Sequence, residues 1–212
     1  MASDELSRMR TEYARTGLDE SAAGEDPIAL AHRWLGDAIA AGVHEPNAMA
    51  LATATAAGVP SVRIVLLKGL DERGAVFFTN YESRKGHDLA DNPRAAAVML
   101  WHTLQRQLRV EGTVTRLSPA ESDAYFLSRP EGARVSAASS PQSDVVADRA
   151  ELERRWREAE DAGAAQHRPA NWGGYRIALD VLEFWHGREN RLHDRLRFTR
   201  SGAAWHRDRL AP

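Results

Sequence analysis

The spacing of hydrophobic residues changes several times along this chain, and each change marks a predicted element. Between Asp26 and Gly42, apolar residues recur every three to four positions after an N-cap Asp and a first-turn proline, which predicts an amphipathic helix. The next residues follow the pattern of strands, with turn residues at 58–60 and 71–74. We therefore predict an antiparallel three-strand meander over 48–55, 61–70 and 75–80.

The rest of the chain alternates further helices and strands. Ser83 can cap a short helix, and Ser118 with Glu121 forms a capping box whose helix we expect to end near Arg129. Residues 131–145 are small and polar, which indicates a loop or a short broken helix. A charged helix is predicted over 146–163, and strands over 94–102, 105–117, 175–187, 188–198 and 204–212. The five strands up to residue 117, separated by turns, favour a barrel over a βαβ sheet.

The length fits one large domain or two small ones, and we favour a single domain. The 212 residues are 43% hydrophobic, which is enough to form a core. We expect a mobile N-terminal segment over 1–25, followed by a single domain with peripheral helices over 26–212. If the N-terminal segment is helical, Arg10 and Tyr13 share a face.

Charge and missing motifs exclude several functions. The net charge of −2 provides no overall attraction to nucleic acid or to an anionic membrane, so an anion site must be local. Zero cysteines exclude disulfides, thiolate metal sites and a Cys nucleophile. No P-loop, Rossmann or HExxH spacing is present, so no metal is expected, and no GxSxG elbow marks a hydrolase nucleophile. No apolar run is long enough to span a bilayer, and we expect a soluble, cytoplasmic protein without a membrane partner.

Four cations surround two strongly apolar strands. In a strand, Arg63 and Lys68 are five positions apart, so without a bulge they face opposite ways and should hold different groups. Arg84 and Lys85 lie in the first turn after the Ser83 cap, where free backbone amides favour an anion. This arrangement suggests sites for two phosphates, or for one phosphate and a second anion. The alternative is that these cations are solvated strand ends.

A second basic cluster lies near the C-terminus. Arg191, His193 and Arg195 follow one another at every second position, which in a strand places them on one face with Leu192 and Leu196 on the other. Adjacent basic groups repel one another, so we expect an anionic or π-rich group to lie over them.

Several ordered motifs carry a resemblance to a known family. They include RIVLLK, FFTN, SRKG, NPRAA, WHTLQRQ, YFLSRP, NWGGYRI, EFWHGRENRLHDR and the terminal DRLAP. In this order they resemble the pyridoxamine 5′-phosphate oxidase family almost from end to end. The resemblance implies a mainly β fold with added helices (α+β), an FMN-binding split β-barrel with antiparallel Greek-key strands. It also implies a homodimer with two FMN sites at the subunit interface.

The resemblance also assigns residues to roles. FMN is expected to be held by Arg63, Ile64, Val65, Leu66, Leu67, Lys68, Phe78, Thr79, Arg84, Lys85, Gln107, Gln142, Ser143, Trp185 and Arg195. Lys68, Tyr125 and Arg129 are expected to bind the substrate phosphate, Arg191 and His193 to lie against the substrate ring as catalytic residues, and Arg10 and Tyr13 to cover the site. The implied reaction oxidises pyridoxamine 5′-phosphate or pyridoxine 5′-phosphate to pyridoxal 5′-phosphate by hydride transfer to FMN. Oxygen then accepts the electrons and leaves as hydrogen peroxide.

One departure from the family pattern leaves alternatives open. Ala133 occupies a position where the family usually has a serine that contributes to the substrate phosphate site. Loss of one hydroxyl donor costs about 0.5–1.5 kcal/mol if water or Ser136 compensates. The alternatives are a split-barrel flavin or deazaflavin oxidoreductase acting on another substrate, and a non-catalytic protein that binds flavin or pyridoxal phosphate.

Overall fold

The computed structural model of the chain describes residues 17–212. These residues form two units, each with its own core. Unit A contains the described residues up to Pro46 together with Met99–Arg109 and Val181–Pro212, and unit B contains Asn47–Val98 and Val110–Asp180. The expectation of one domain over 26–212 after a mobile segment stays a prediction.

The element bounds are as follows. The helices are α1 (Glu20–Ala23), α2 (Pro27–Ala40), α3 (Arg84–Asp91), α4 (Pro119–Ser128), α5 (Glu131–Ser139) and α6 (Arg149–Asp161), with short 3₁₀ turns at His102–Leu104, Ala164–Gln166 and Glu189–Arg191. The strands are β1 (Ala48–Ala54), β2 (Pro60–Leu66), β3 (Gly69–Asp71), β4 (Gly74–Asn80), β5 (Arg94–Trp101), β6 (Arg106–Arg116), β7 (Trp172–Ile177), β8 (Val181–His186), β9 (Asp194–Ser201) and β10 (Ala204–Arg209).

Local capping signals explain why the predicted helices form. The Asp26 side chain accepts hydrogen bonds from the backbone amides of the first turn of α2. Ser118 and Glu121 form the reciprocal capping box of α4, and the Ser83 hydroxyl caps α3. Residues 131–145 begin with the nine-residue helix α5 and continue without a helix or strand. These signals lie within a few residues of the element they start, so the sequence alone reveals them.

The strands of unit B form antiparallel pairs in two groups. In one group β1 pairs with both β2 and β5. In the other group β4 pairs with β3 and β7, and β7 also pairs with the end of β6. Every residue of β4 except Phe78 is buried, and since successive side chains point to opposite faces, both faces of this strand are covered.

The predicted strand over 61–70 is wrong because the chain changes partners in its middle. The amide of Leu67 donates to the Asn47 carbonyl at 2.8 Å, next to β1, whereas the amide of Lys68 donates to the Val76 carbonyl of β4, also at 2.8 Å. β2 therefore ends before Leu67, and β3 begins at Gly69 as part of a hairpin with β4. Instead of one meander, these residues form two hairpins joined at Leu67 and Lys68.

Unit A combines helix α2 with the C-terminal strands. Trp34 of α2 makes edge contacts with Trp101 at 6.4 Å and with Phe184 at 5.2 Å between ring centroids. Phe184 on β8 in turn contacts Phe198 on β9, and β9 pairs with β8 and β10 in antiparallel register. The predicted strand over 175–187 is two strands, β7 and β8, with a break at 178–180.

The predicted fold class is confirmed: the described residues combine antiparallel strands with helices in an α+β fold. Between residues 17 and 212, no helix is long and apolar enough to cross a membrane.

Candidate functional site

A cavity of about 690 Å³ lies within unit B. Its wall contains both cationic side chains and stacked aromatic rings. The lining residues are Ser61, Val62, Arg63, Ile64, Val65, Leu66, Lys68, Phe78, Thr79, Arg84, Lys85, Tyr125, Arg129, Pro130, Gln142, Ser143 and Trp172. A volume of this size accommodates a ligand of several rings.

Lys85 is the most buried cation of the cavity. Its Nζ donates to Thr79 Oγ1 at 2.8 Å, to Ser83 Oγ at 2.9 Å and to Gln142 Oε1 at 2.8 Å. Burial, with a smaller contribution from the nearby charge of Arg63, lowers the pKa of Lys85 to about 8. An ammonium group held by three neutral acceptors keeps most of its charge uncompensated, so an anion in the cavity would stabilise it.

The start of helix α3 explains the SRKG motif. Gly86 follows Lys85, and a Cβ at this position would collide with the Tyr81 carbonyl, so only glycine lets the first turn pack this closely. The amide of Arg84 donates to Ser143 Oγ at 3.2 Å, which joins the helix start to the segment after α5. Both cations of the turn therefore reach the same cavity.

Arg63 is held by its own network on β2. Its guanidinium donates to Thr53 Oγ1 at 2.8 Å and to Ser61 Oγ at 2.6 Å, and lies 3.8 Å from the buried carboxylate of Asp88. The Thr53 hydroxyl donates to the same carboxylate at 2.6 Å. Burial lowers the pKa of Arg63, and the negative charge of Asp88 opposes that change. Arg63 thus remains charged, and the groups at Thr53, Ser61 and Asp88 fix the orientation of its guanidinium.

The aromatic wall is a stack of three rings that supports an arginine. Phe78 lies 3.8 Å from Tyr125 and 5.6 Å from Trp172 between ring centroids, in nearly parallel planes. The Arg129 guanidinium lies over the Trp172 ring at 4.7 Å. Among the described residues, the buried Nη1 of Arg129 has no hydrogen-bond partner. A buried guanidinium nitrogen without an acceptor on the wall of a cavity is suited to receive an oxyanion.

The structure brings most of the predicted site residues of unit B together. Those that line the cavity are Arg63, Ile64, Val65, Leu66, Lys68, Phe78, Thr79, Arg84, Lys85, Tyr125, Arg129, Gln142 and Ser143. Leu67 is buried and outside this lining.

The prediction that Arg63 and Lys68 hold different groups rested on strand alternation between the two residues, and that alternation is wrong. β2 ends before Lys68, so the alternation of a strand does not extend to it.

The predicted strand face of Arg191, His193 and Arg195 is also wrong. β9 begins only at Asp194, and Arg191 belongs to a 3₁₀ turn in which Asn190 and Arg191 have φ values of 58° and 59°. Leu192 is 69% exposed. Alternating side chains require extended backbone, so the spacing in the sequence does not describe this loop.

The remaining predicted residues lie in unit A or outside the described chain. The ring of His193 contacts the ring of Trp185 at 4.7 Å between centroids, and Arg195 on β9 pairs with buried Glu183 at 2.9 Å. Gln107 lies on β6 in the same unit. Arg10 and Tyr13 fall outside residues 17–212.

Sequence reasoning missed four residues of the cavity wall, Ser61, Val62, Pro130 and Trp172. Trp172 carried a signal, since it lies in the NWGGYRI motif, but its support of Arg129 depends on contacts between distant strands and helices.

The structure does not favour the suggestion that Ser136 compensates for Ala133, because the Ser136 hydroxyl already has two hydrogen-bond partners. The Ser136 hydroxyl donates to the Gly132 carbonyl at 2.8 Å and accepts from Trp156 Nε1 at 3.1 Å.

An antiparallel α+β fold whose cavity combines cations with stacked rings is suited to anionic aromatic ligands. Residues 35–162 match the family model described as Pyridoxamine 5′-phosphate oxidase, and residues 172–212 match the Pyridoxine 5′-phosphate oxidase C-terminal dimerisation region. The chain belongs to the pyridoxamine 5′-phosphate oxidase family.

Curated relatives and solved structures agree with this placement. The chain is 53% identical to the pyridoxine/pyridoxamine 5′-phosphate oxidase of Rubrobacter xylanophilus, over 98% of this chain and 97% of that protein. It is 54% identical to the protein of the same name from Burkholderia multivorans, over 98% and 99% of the two chains. PhzG from Burkholderia lata, solved with tetrahydrophenazine-1-carboxylic acid, has a TM-score of 0.87 and 34% identity, covering 93% of this chain and 99% of that one.

A more distant structure shows the fold alone. It is a pyridoxamine 5′-phosphate oxidase-related, FMN-binding protein from Nostoc punctiforme, with a TM-score of 0.70 and 17% identity, covering 89% of this chain and all of that one. The expected split-barrel type of fold is confirmed by these neighbours, and the sheet that residues 17–212 form is not closed.

Proposed function

We propose that this protein is an FMN-dependent oxidase that converts pyridoxamine 5′-phosphate and pyridoxine 5′-phosphate to pyridoxal 5′-phosphate. The observation that carries the proposal is the unit B cavity, whose wall combines five cations with an aromatic stack. We assign these cations to two groups. With the amine substrate, water and oxygen are consumed, and ammonia and hydrogen peroxide are released. Family membership and the named relatives support this choice.

The first cationic group fits the phosphate of FMN. Arg63, Arg84 and Lys85 line one cavity, and Ser143 Oγ adds a hydroxyl beside the amide of Arg84. Guanidinium groups grip phosphate oxygens in a fork and an ammonium contributes a point charge, so the three cations can neutralise a dianion. The uncompensated charge of buried Lys85 is the observation that supports an anionic occupant here.

The second group fits the phosphate of the substrate. Arg129 offers the buried, unpartnered Nη1, while Tyr125 and Lys68 line the same cavity and can add a hydroxyl and an ammonium. Within this group, Trp172 supports the Arg129 guanidinium and Phe78 stacks on Tyr125. We assign the substrate phosphate to these residues because a phosphate can accept from all three donors at once.

The chemistry then requires a hydride acceptor and an oriented substrate. FMN, when bound, supplies the two-electron acceptor that oxygen later reoxidises. We assign Arg191 and His193 to the substrate ring. Burial and the charge of Arg191 lower the pKa of His193, so its imidazole is mostly neutral at pH 7 and can take part in a hydrogen bond with the substrate. These residues contribute placement of the reacting carbon rather than bond chemistry.

We also propose a homodimer. Residues 172–212 match a dimerisation region, and β2 pairs only with β1 among the strands of the described residues. On β2, Val62 is 68% exposed and Ile64 is 64% exposed. An edge strand with exposed β-branched side chains is typical of a surface that a partner covers. Localisation in the cytoplasm stays a prediction.

The decisive test is an absorption spectrum of the purified protein before and after anaerobic addition of pyridoxamine 5′-phosphate. We expect the flavin band to bleach, and readmitted oxygen to restore it with release of hydrogen peroxide. Retained FMN whose band does not bleach with pyridoxamine 5′-phosphate would overturn the proposed function. Arg129→Ala is expected to retain the flavin spectrum while the KM for the substrate rises.

The likeness to PhzG supports a second candidate function, oxidation of a partly reduced tricyclic aromatic acid. Such a substrate has a carboxylate but no phosphate. Bleaching by a dihydro- or tetrahydrophenazine carboxylate, together with an intact spectrum in pyridoxamine 5′-phosphate, would favour this candidate. The proposed function predicts the opposite result, namely that pyridoxamine 5′-phosphate bleaches the flavin band and the phenazine carboxylate does not. The reason is that the two cationic groups of the cavity favour a ligand with a phosphate.

A further inference from the structure

The loop before β9 fixes one nitrogen of the His193 ring. The backbone N–H of Arg188 lies 3.0 Å from His193 Nδ1. A backbone amide can only donate, so Nδ1 must be the nitrogen with the free electron pair, and the proton of the neutral ring lies on Nε2. The ring also packs on Trp185, which restricts its rotation.

The carboxylate of Asp194 pairs with the guanidinium of Arg188. This carboxylate is 6% exposed. Its Oδ2 lies 3.4 Å from Nη1 of Arg188 and accepts from the amide of Leu18 at 2.9 Å, while its Oδ1 accepts from Nη1 of Arg209 at 2.6 Å. Asp194 therefore has firm partners from both ends of the chain, and Arg188 is tied to that fixed point.

The backbone between Arg188 and Asp194 turns back on itself. Asn190 and Arg191 both have positive φ values, in the left-handed region that residues other than glycine rarely adopt. Such a conformation persists where surrounding contacts determine it. The contacts here are the Arg188 amide on His193, the Arg188 guanidinium on Asp194, and the amide of Leu192 on the Glu189 carbonyl at 3.2 Å.

We propose that Asp194 is a positioning residue that, through Arg188, presents His193 to its ligand in a single tautomer with the proton on Nε2. His193 then faces the ligand as a hydrogen-bond donor. The role of His193 toward the substrate rests on the proposed function, whereas the tautomer is a property of the free protein. A fixed donor favours a ligand with an oxygen or nitrogen acceptor at that point, such as the ring substituents of a pyridine substrate.

The first test observes the ring directly. Two-bond nitrogen–proton correlation spectra of the ¹⁵N-labelled full chain, taken above the pH at which His193 titrates, are expected to show one tautomer with protonated Nε2. A ring protonated on Nδ1, or an average of both forms, would overturn the proposal even if the enzyme is active. A single Nε2–H ring in a protein that does not oxidise pyridoxamine 5′-phosphate would support this proposal and contradict the proposed function instead.

The second test removes the link between the loop and its fixed point. Arg188→Ala is expected to give a mixture of His193 tautomers and to lower kcat/KM by about ten- to a hundred-fold, the cost typical of a misplaced group. Arg188→Lys should recover most of both, because a cation remains beside Asp194. Arg197→Ala is the matched control, since Arg197 lies on β9 as Asp194 does and pairs at 2.7 Å with Asp208 on β10, away from the loop. An unchanged single tautomer in Arg188→Ala would refute the role of Asp194.

A titration separates positioning from simple folding. Burial and, to a smaller extent, the charge of Arg191 lower the pKa of His193, whereas the charge of Asp194 raises it. Arg188 is the further charged residue in contact with the ring, through its backbone. Asp194→Asn should therefore titrate His193 at lower pH than the unaltered chain. A titration that stays in place in a folded Asp194→Asn protein would count against the assignment. If that variant does not fold, the Arg188→Ala and Arg188→Lys pair decides the question.

Discussion

The affinity for FMN should fall as the pH rises above 8, because of one buried lysine. The pKa of Lys85 is lowered to about 8 by burial, from an ordinary value of 10.5. A phosphate beside its Nζ favours the charged form and should restore a pKa near or above that ordinary value. Above pH 8 the free protein has lost this proton, so binding must take it up again from solution.

The size of the effect follows from the two protonation states. With a pKa of about 8, Lys85 is roughly 90% charged at pH 7 and roughly 10% charged at pH 9. If only the charged form binds FMN well, the apparent Kd rises about ten-fold between these values, or about 1.4 kcal/mol. The second phosphate pKa of the ligand is near 6, so the ligand itself stays a dianion throughout this range.

The assay is quenching of FMN fluorescence on binding to the flavin-free protein at pH 7, 8 and 9. Lys85→Arg is the matched control, since a guanidinium does not deprotonate in this range and should give a flat profile. Riboflavin, which has no phosphate, should bind with little change from pH 7 to 9. A ten-fold slope that persists in Lys85→Arg, or a flat profile in the unaltered chain, would refute the assignment of Lys85 to the phosphate.

Further predictions concern stability and the substrate site. Between pH 8 and 10.5 the unfolded chain keeps the Lys85 proton that the folded chain has lost, so the free protein should gain stability with rising pH relative to Lys85→Met in urea unfolding. Trp172→Leu should raise the KM for pyridoxamine 5′-phosphate several-fold by freeing Arg129, with a smaller effect in Trp172→Phe, as steady-state kinetics would show. Asp88→Ala should cost about 1–3 kcal/mol in urea unfolding, because the buried Thr53 hydroxyl loses its acceptor and Arg63 loses its nearby carboxylate. Ser118→Ala should cost about 1 kcal/mol, and an undiminished denaturation midpoint would contradict the role of the capping box.

Two cations of the site, Lys85 and Arg63, are positioned in part by residues that are distant in the sequence. The cations of the SRKG motif were visible in the sequence, but the acceptors that surround Lys85 come from Thr79, Ser83 and Gln142. Of these, Gln142 is 57 positions away. Similarly, Arg63 owes its direction to Thr53 and Asp88, which pattern reasoning had no cause to select.

The sequence by itself determined the elements whose signals are local. The caps at Asp26, Ser83 and Ser118 each start the helix they predict, because a side chain satisfies amides only two or three residues away. The ordered motifs also led to the family that the comparisons show. Together these signals were sufficient for the fold class and for most of the cavity wall in unit B.

Only the tertiary structure decided where strands break and which way loops turn. The alternation in 61–70 and in 191–195 is compatible with continuous strands, yet one segment changes partners at Leu67 and Lys68 and the other begins with a left-handed turn. Hydrogen-bond partners of a strand lie far away in the chain, so its ends depend on the neighbours that the fold supplies. For the same reason, the stack that supports Arg129 and the fixed tautomer of His193 could be found only from the structure.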